Sequence, residues 1–267
     1  MKKVLVAGAT GWAGSEISKA ILENSEMTLT GGLSRAHNGN NLAEVLPLEN
    51  DQTVPLFDTI ENAMEHVDFD ILVEFTKPQI AKHNIISALK KGKKVIVGTS
   101  GLSDEDYEEI EKIALENNTS ALAAGNFAIT MVLLQKFAEM AAQYIPNYEI
   151  IDYADESKID APSGTVAELA YRLSKVQQPN IAVPIEETIG NKATRGATIN
   201  GIQVHSVRLP GHIISVETIF GLKGEKLTLR HDSTESAEPY VKGVLLAIQN
   251  IETFKGLKRG LDTIMQF

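Results

Sequence analysis

The segment Val4-Leu5-Val6-Ala7-Gly8-Ala9-Thr10-Gly11-Trp12-Ala13-Gly14 constrains this chain more than any other. Its apolar run reads as a strand buried on both faces, and a helix-period stretch follows the glycines. A chain that must turn from a buried strand into a helix in so few residues needs a left-handed or close-packed backbone, which glycine supplies. In the dinucleotide-binding reading, Gly8 makes the tight turn, Gly11 lets the backbone approach a diphosphate, and Gly14 allows close packing of helix on strand. The helix amino terminus then faces the negative charge. The same G-x-x-G-x-x-G spacing also occurs in plain glycine-rich strand-to-helix turns; its place between a buried strand and a helix is what favours the nucleotide.

The pattern around the turn repeats. Apolar runs at 3–7, 27–33, 70–75, 94–98 and 121–124 read as strands, and helical stretches at 15–23, 79–90 and 104–117 lie between them. Alternation of this kind predicts βαβ units and a mostly parallel sheet, an α/β domain of the Rossmann, doubly wound type. Ser103 and Asp106 have capping-box spacing at the start of the third helix. Beyond Phe127 the character changes. A helix over 129–143 leads to YEIIDYA, a further helix follows PSGT, and then IQVHSVRL, IISVETIF and EKLTLRH succeed one another without helical spacers. That order predicts an α+β domain with a mixed or antiparallel sheet, and a last helix over 239–252.

Composition removes several function classes. The 267 residues contain no cysteine, so no disulfide framework, thiolate zinc site or cysteine nucleophile is available. This suits a reducing, cytoplasmic setting, and no metal site is expected. The formal charge of −10 disfavours a nucleic-acid partner. The short apolar run after Met1-Lys2-Lys3 is broken by glycine too early for a signal peptide, and no segment approaches the roughly 20 apolar residues of a membrane span.

The nucleotide's identity is read at the end of the second strand. An NAD site places an acid there for the ribose hydroxyls, whereas no Asp or Glu occurs between Met27 and Ala43 and the strand runs into Leu33-Ser34-Arg35. Arg35 can pair with a 2′-phosphate, so NADPH is the expected cofactor, with NADH possible. Other strand ends face the same crevice: Phe75-Thr76-Lys77, Gly98-Thr99-Ser100 and Gly125-Asn126-Phe127. The expected cofactor residues are therefore Gly8, Ala9, Thr10, Gly11, Trp12, Ala13, Arg35 and these nine. Phe75 and Phe127 are candidates to flank a flat nicotinamide.

The strongest local signal of the second half is Lys158-Ile159-Asp160-Ala161-Pro162-Ser163-Gly164-Thr165, followed by a helix. Pro162 and Ser163 set the helix start, and the amides of Gly164 and Thr165 then form an anion pocket that Lys158 can close. A helix end alone contributes only about 0.3–2 kcal/mol. A firmly held carboxylate therefore needs the lysine and several amides together.

At this point the chain resembles the dihydrodipicolinate reductase family, the 4-hydroxy-tetrahydrodipicolinate reductases of lysine and diaminopimelate biosynthesis. The resemblance is carried by GATGWAG, DILVEFTKP, VIVGTSG, AAGNF, EIID with KIDAPSGT, and HSVRLPG with LTLRHDS, and it spans essentially the whole chain. It implies a homotetramer that reduces a small, cyclic unsaturated dicarboxylate with NADPH or NADH. It also implies a nucleotide-binding domain over 1–127 and 237–267, and a substrate-binding and oligomerisation domain over 128–236. Lys158, Ser163, Gly164 and Thr165 would bind substrate, with Lys158 the catalytic candidate.

The chain departs from the family pattern in two places. Trp12-Ala13 stand where an Arg-Met pair is usual, which removes a charge near the phosphates that Lys77 can partly replace. The family's H-H-x-x-K-x-D-A-P-S-G-T has two histidines, and here Ala154-Asp155 fill those positions. The usual proton donor is absent, which leaves Lys158 or water as the acid. Asp155 and Glu156 also favour a less acidic substrate, so a related NADPH-dependent imine reductase stays open beside the family reaction. A non-catalytic NADP-binding sensor is the third reading, and the KIDAPSGT run speaks against it. His205 and Arg230, on β segments of the second half, are further candidates to approach the substrate.

Overall fold

A computed structural model describes residues 1–47 and 52–267. In chain order the elements are β1 (Lys2–Ala7), α1 (Trp12–Leu22), β2 (Met27–Leu33), α2 (Leu42–Val45), β3 (Leu56–Phe57), α3 (Ile60–His66) and β4 (Ile71–Glu74). Then come α4 (Pro78–Lys90), β5 (Lys94–Val97), α5 (Asp104–Glu116), β6 (Ser120–Ala123), α6 (Ile129–Ala142), β7 (Tyr148–Ala154) and α7 (Gly164–Val176). The remainder is β8 (Ala197–Ile199), β9 (Ile202–Arg208), β10 (Ile214–Leu222), β11 (Glu225–Ser233), α8 (Glu238–Asn250) and β12 (Gly256–Arg259). They form two compact units, Met1–Ile129 with Ser236–Phe267, and Thr130–Glu235.

The first unit is a seven-stranded sheet in the order β12-β6-β5-β4-β1-β2-β3, parallel at every pairing. The Rossmann-type α/β architecture expected from the alternating runs is therefore present. From β1 the chain steps to β2 on one side, and from β4 to β5 on the other. Right-handed crossovers place helices from those two directions on opposite faces. Accordingly α1 packs on α8, while α3, α4 and α5 pack as neighbours. Val4 to Ala7 and Ile71 to Val73 are all 0% exposed, as strands covered on both faces must be.

Two short strands, β3 and β12, widen the sheet beyond the five predicted. Helix α1 also begins at Trp12, three residues earlier than the expected stretch over 15–23. Gly14 lies in its first turn, where glycine's poor helix propensity is outweighed by packing: a Cβ there would lie 2.0 Å from the Gly8 carbonyl oxygen. Helix α5 has the full capping box, with the Asp106 N–H donating to Ser103 Oγ at 3.2 Å and the Ser103 N–H to Asp106 Oδ2 at 2.9 Å.

The second unit holds a mixed five-stranded sheet, β11-β10-β7-β9-β8, parallel only between β7 and β9. Strand β7 alternates strictly, with Tyr148, Ile150, Asp152 and Ala154 buried and the residues between them half-buried. Its inward face meets α7, whose Val166, Leu169, Ala170 and Leu173 are buried. Among the described residues of both units, no helix is long and apolar enough to cross a membrane.

Leu72 sits wholly buried in the cluster between the sheet and α3 to α5. Leu72→Ala is expected to lower stability by about 2–5 kcal/mol, measured by urea unfolding.

Candidate functional site

Hydrogen bonds between neighbouring strands bring the carboxyl ends of the parallel sheet into one crest. The Gly8 and Ala9 N–H groups both donate to Leu33 O, at 3.0 and 3.2 Å, and the Phe75 N–H donates to Ala7 O at 3.0 Å. The Gly98 N–H donates to Glu74 O at 2.9 Å, and the Ala124 N–H to Val97 O at 3.0 Å. Gly8 has φ +82°, and a Cβ there would lie 2.7 Å from Phe75 O, so only glycine turns the chain beneath the next strand end. Gly11 is the N-cap of α1 and carries no side chain to cap the helix, whose amino terminus suits a bound anion.

Beside this turn opens a cavity of about 400 Å³. Gly8, Thr10, Gly11, Arg35, Phe75, Thr76 and Lys77 line it, together with Leu33, Ser34, Ala36, Asp58, Ile80 and Asn84. Of the other residues proposed for the cofactor, Ala9, Trp12, Ala13, Gly98, Thr99, Ser100, Gly125, Asn126 and Phe127 do not line it. Ala9 and Ala13 are buried, while Trp12 is 58% exposed and meets Tyr240 edge-on at 5.8 Å. The Phe75 ring lies against Gly98, where any Cβ would fall 2.2 Å from it. Phe127 is only 1% exposed and packs on Phe75 at 5.7 Å, so its ring belongs to the core and offers no open face. Asn126 closes its own turn by accepting from the Ala128 N–H at 2.8 Å.

The cavity's charges are Arg35, Lys77 and Asp58. A hydrogen bond from Asn62 Nδ2, at 3.0 Å, holds Asp58 below the usual carboxylate range, so it is ionised at neutral pH. Sequence reasoning passed over Asp58, Asn84 and Glu74. The last is wholly buried at the end of β4, and burial pushes its carboxyl above the usual range.

In the second unit the Lys158 loop leaves β7 and returns as α7. Ser163 is the N-cap: its Oγ accepts from the Val166 N–H at 3.4 Å, while its own N–H and hydroxyl donate to the two oxygens of Asp152, at 2.8 and 2.9 Å. Asp152 is 0% exposed and paired with Arg208 at 2.7 Å. Arg208 also donates to Asp160 O at 2.8 Å, which ties the loop to β7 and β9. Gly164 is exposed and Thr165 half-buried at the helix start. Lys158 reaches Asp160 at 2.8 Å, and that pairing holds the Asp160 carboxyl below its usual range.

Ala154 is buried, and Asp155 is turned into its own loop, accepting from the Ser157 N–H and hydroxyl at 2.9 and 2.6 Å. His205 pairs with Glu149 at 2.7 Å, and Arg230 is held by Asp232 and Glu217 over the Tyr153 ring. Both therefore serve the sheet's own network. A larger groove of about 920 Å³ in this unit is lined mainly by residues such as Ile181, Val183, Ile189 and Leu222. Among its described lining residues the only cation, Arg195, is held by Glu149, so the groove lacks the free charge an anionic ligand needs.

Breaking a buried ion pair leaves an uncompensated charge, which costs about 3–5 kcal/mol. Arg208→Ala is expected to destabilise the protein by that order in urea unfolding. Adding Asp152→Asn should recover part of the loss.

The amino-terminal model of dihydrodipicolinate reductase matches residues 2–127, and the carboxy-terminal model matches residues 130–265. The 4-hydroxy-tetrahydrodipicolinate reductase of Desulfitobacterium hafniense is 38% identical over the full length of both chains. That of Bacillus pumilus is 36% identical over 98% of this chain and 97% of its own. The structure of dipicolinate-bound dihydrodipicolinate reductase from Paenisporosarcina sp. TG-14 superimposes with a TM-score of 0.88 at 32% identity. It covers 99% of this chain and all of the other.

Proposed function

The chain belongs to the dihydrodipicolinate reductase family, and on that premise we propose that it catalyses the NADPH-dependent reduction of 4-hydroxy-tetrahydrodipicolinate. It is an oxidoreductase of the pyridine-nucleotide-dependent kind. The observation that carries the reading is the presence, within one full-length family match, of an uncapped helix start at Gly11 and of a second helix start at Ser163 that follows Lys158 in the chain.

The crest of the first unit fits a dinucleotide. The turn at Gly8 leaves the backbone bare, α1 presents uncapped amides, and the cavity beside them has two cations. Gly8, Thr10 and Gly11 would hold the diphosphate, and Arg35 a 2′-phosphate. Lys77 would supply part of the charge that Trp12-Ala13 omit. When bound, the reduced nicotinamide supplies the hydride. Asp58, ionised in the same cavity, can accept from ribose hydroxyls and repels an added phosphate, which supports some use of NADH alongside NADPH.

In the second unit, Lys158 leaves Asp160 to pair with a substrate carboxylate, while the amides of Gly164 and Thr165 take its oxygens. Ser163 is committed to Asp152 and acts by fixing the helix start. With Ala154 buried and Asp155 closed on Ser157, neither position offers a proton, so the proton comes from Lys158 or from water. Those two positions also support a second reading, a related cyclic imine as the substrate. The family reading carries with it a homo-oligomer in the cytoplasm, and the exposed Val183, Ile189 and Leu222 of the second unit support a partner copy.

The test is loss of the nicotinamide absorbance band with freshly generated substrate. Wild type is expected to turn over, Lys158→Ala to lose about 10²–10⁴-fold in kcat/KM, and Arg35→Ala to weaken NADPH about tenfold or more while sparing NADH. Turnover of other cyclic imines but not of this dicarboxylate would move the assignment to the second reading. Equal loss with both nucleotides would remove Arg35 from the phosphate site.

A further inference from the structure

Strand β4 runs Ile71, Leu72, Val73, Glu74, and all four are wholly buried. A carboxyl at the end of such a strand is unfavourable unless donors meet it. Three segments supply them. The Thr76 N–H donates to Glu74 Oε1 at 2.7 Å, and the Thr76 hydroxyl makes a short bond to the same oxygen. From α4, Asn84 Nδ2 donates to Oε2 at 2.8 Å. The Thr99 hydroxyl, past the end of β5, lies 3.5 Å from Oε1, 3.3 Å from Glu74 O and 3.1 Å from Thr76 O.

These contacts link two adjacent strand ends and the helix between them around one side chain. Thr76 and Asn84 line the cavity beside the glycine turn, whereas Glu74 does not. With its N–H and hydroxyl drawn inward, Thr76 fixes the turn that sets Phe75 against Gly98 and starts α4 after Lys77. An apolar residue at position 74 would leave the Thr76 N–H and the Asn84 amide without that acceptor. The Phe75-Thr76-Lys77 lip would then lose its anchor. All the donors are neutral, and burial pushes the Glu74 carboxyl above its usual range, so the side chain is held by hydrogen bonds alone and takes no cation from the cavity.

We propose that Glu74 is a positioning residue for the nucleotide: through Thr76 and Thr99 it holds the ends of β4 and β5 in the form that receives the cofactor, without touching the cofactor itself. The inference rests on the reading of this cavity as the NADPH site.

Trp12, the single tryptophan, stands exposed at the start of α1 and serves as a fluorescence donor to bound NADPH. NADPH is titrated into wild type, Glu74→Ala, Glu74→Gln, Thr76→Val and the Glu74→Ala/Thr76→Val double variant, with thermal melts and both KM values recorded. Glu74→Ala is expected to weaken NADPH roughly tenfold and to raise its KM, with the KM of the dicarboxylate unchanged. Glutamine, which keeps the shape and an acceptor for Thr76, should restore affinity to within about twofold. Thr76→Val should weaken NADPH alone, yet add nothing in the Glu74→Ala background. Should Glu74→Ala fail to fold, Glu74→Asp, one methylene shorter, takes its place with the same expectation. A lowered melting temperature with unchanged NADPH affinity, additive effects in the double variant, or a glutamine variant as weak as the alanine one would each overturn the proposal. Absence of energy transfer to NADPH in the wild type would instead overturn the nucleotide reading itself.

Discussion

Parallel pairing on both edges of β1 is the constraint on which the first unit depends. With β2 on one side, β4 on the other and both faces covered, the strand is apolar and wholly buried from Val4 to Ala7, and its carboxyl end must leave the sheet at once. The chain escapes through Gly8 at positive φ, directly beneath the end of β4. Because β1 and β4 run toward the same crest while their crossovers diverge, that exit lies at the point where the strand order reverses. Ligands of open α/β sheets bind there.

Charge is used sparingly. A chain with a net charge of −10 does not attract anions in general, and the candidate sites rely on a few cations set beside helix starts. The helix ends contribute about 0.3–2 kcal/mol each, and a charge-assisted hydrogen bond about 1.5–3 kcal/mol. On the proposed function, Arg35, Lys77 and Lys158 would therefore carry most of the selectivity, with the helices supplying direction. Arg208 differs from them: its charge is spent on Asp152, which in turn fixes Ser163, the N-cap of α7. Its loss would disturb the Lys158 loop through the fold rather than through a ligand.

Much of this was legible in the sequence. Strands buried on both faces read as plain apolar runs, so β1, β2, β4, β5 and β6 stood out, and the capping pair Ser103 and Asp106 marked α5. Strand β3 has two residues, and β12 is Gly-Leu-Lys-Arg; neither is long enough to display a pattern, and both exist because a sheet edge was there to receive them. The start of α1 was hidden by Gly14, whose packing outweighs its propensity. Phe127 looked like a ring for a ligand because it follows Gly-Asn at a strand end, but the neighbouring core claims it. Two buried acids were missed although their signals were present. Asp152 falls on the inward side of the alternation Tyr148, Ile150, Asp152, Ala154, and Glu74 completes an all-apolar strand. An acid in either place requires partners, which Arg208, Thr76 and Asn84 supply.

On the proposed function, the uncapped start of α1 and the turn at Gly8 receive the diphosphate of a pyridine nucleotide. A crystal structure of the protein with NADPH tests it most directly. Diphosphate oxygens should accept hydrogen bonds of about 3 Å from amides of the turn between Gly8 and Ala13, with the 2′-phosphate against Arg35. Nucleotide bound elsewhere, with the glycine turn left to solvent, would contradict the account.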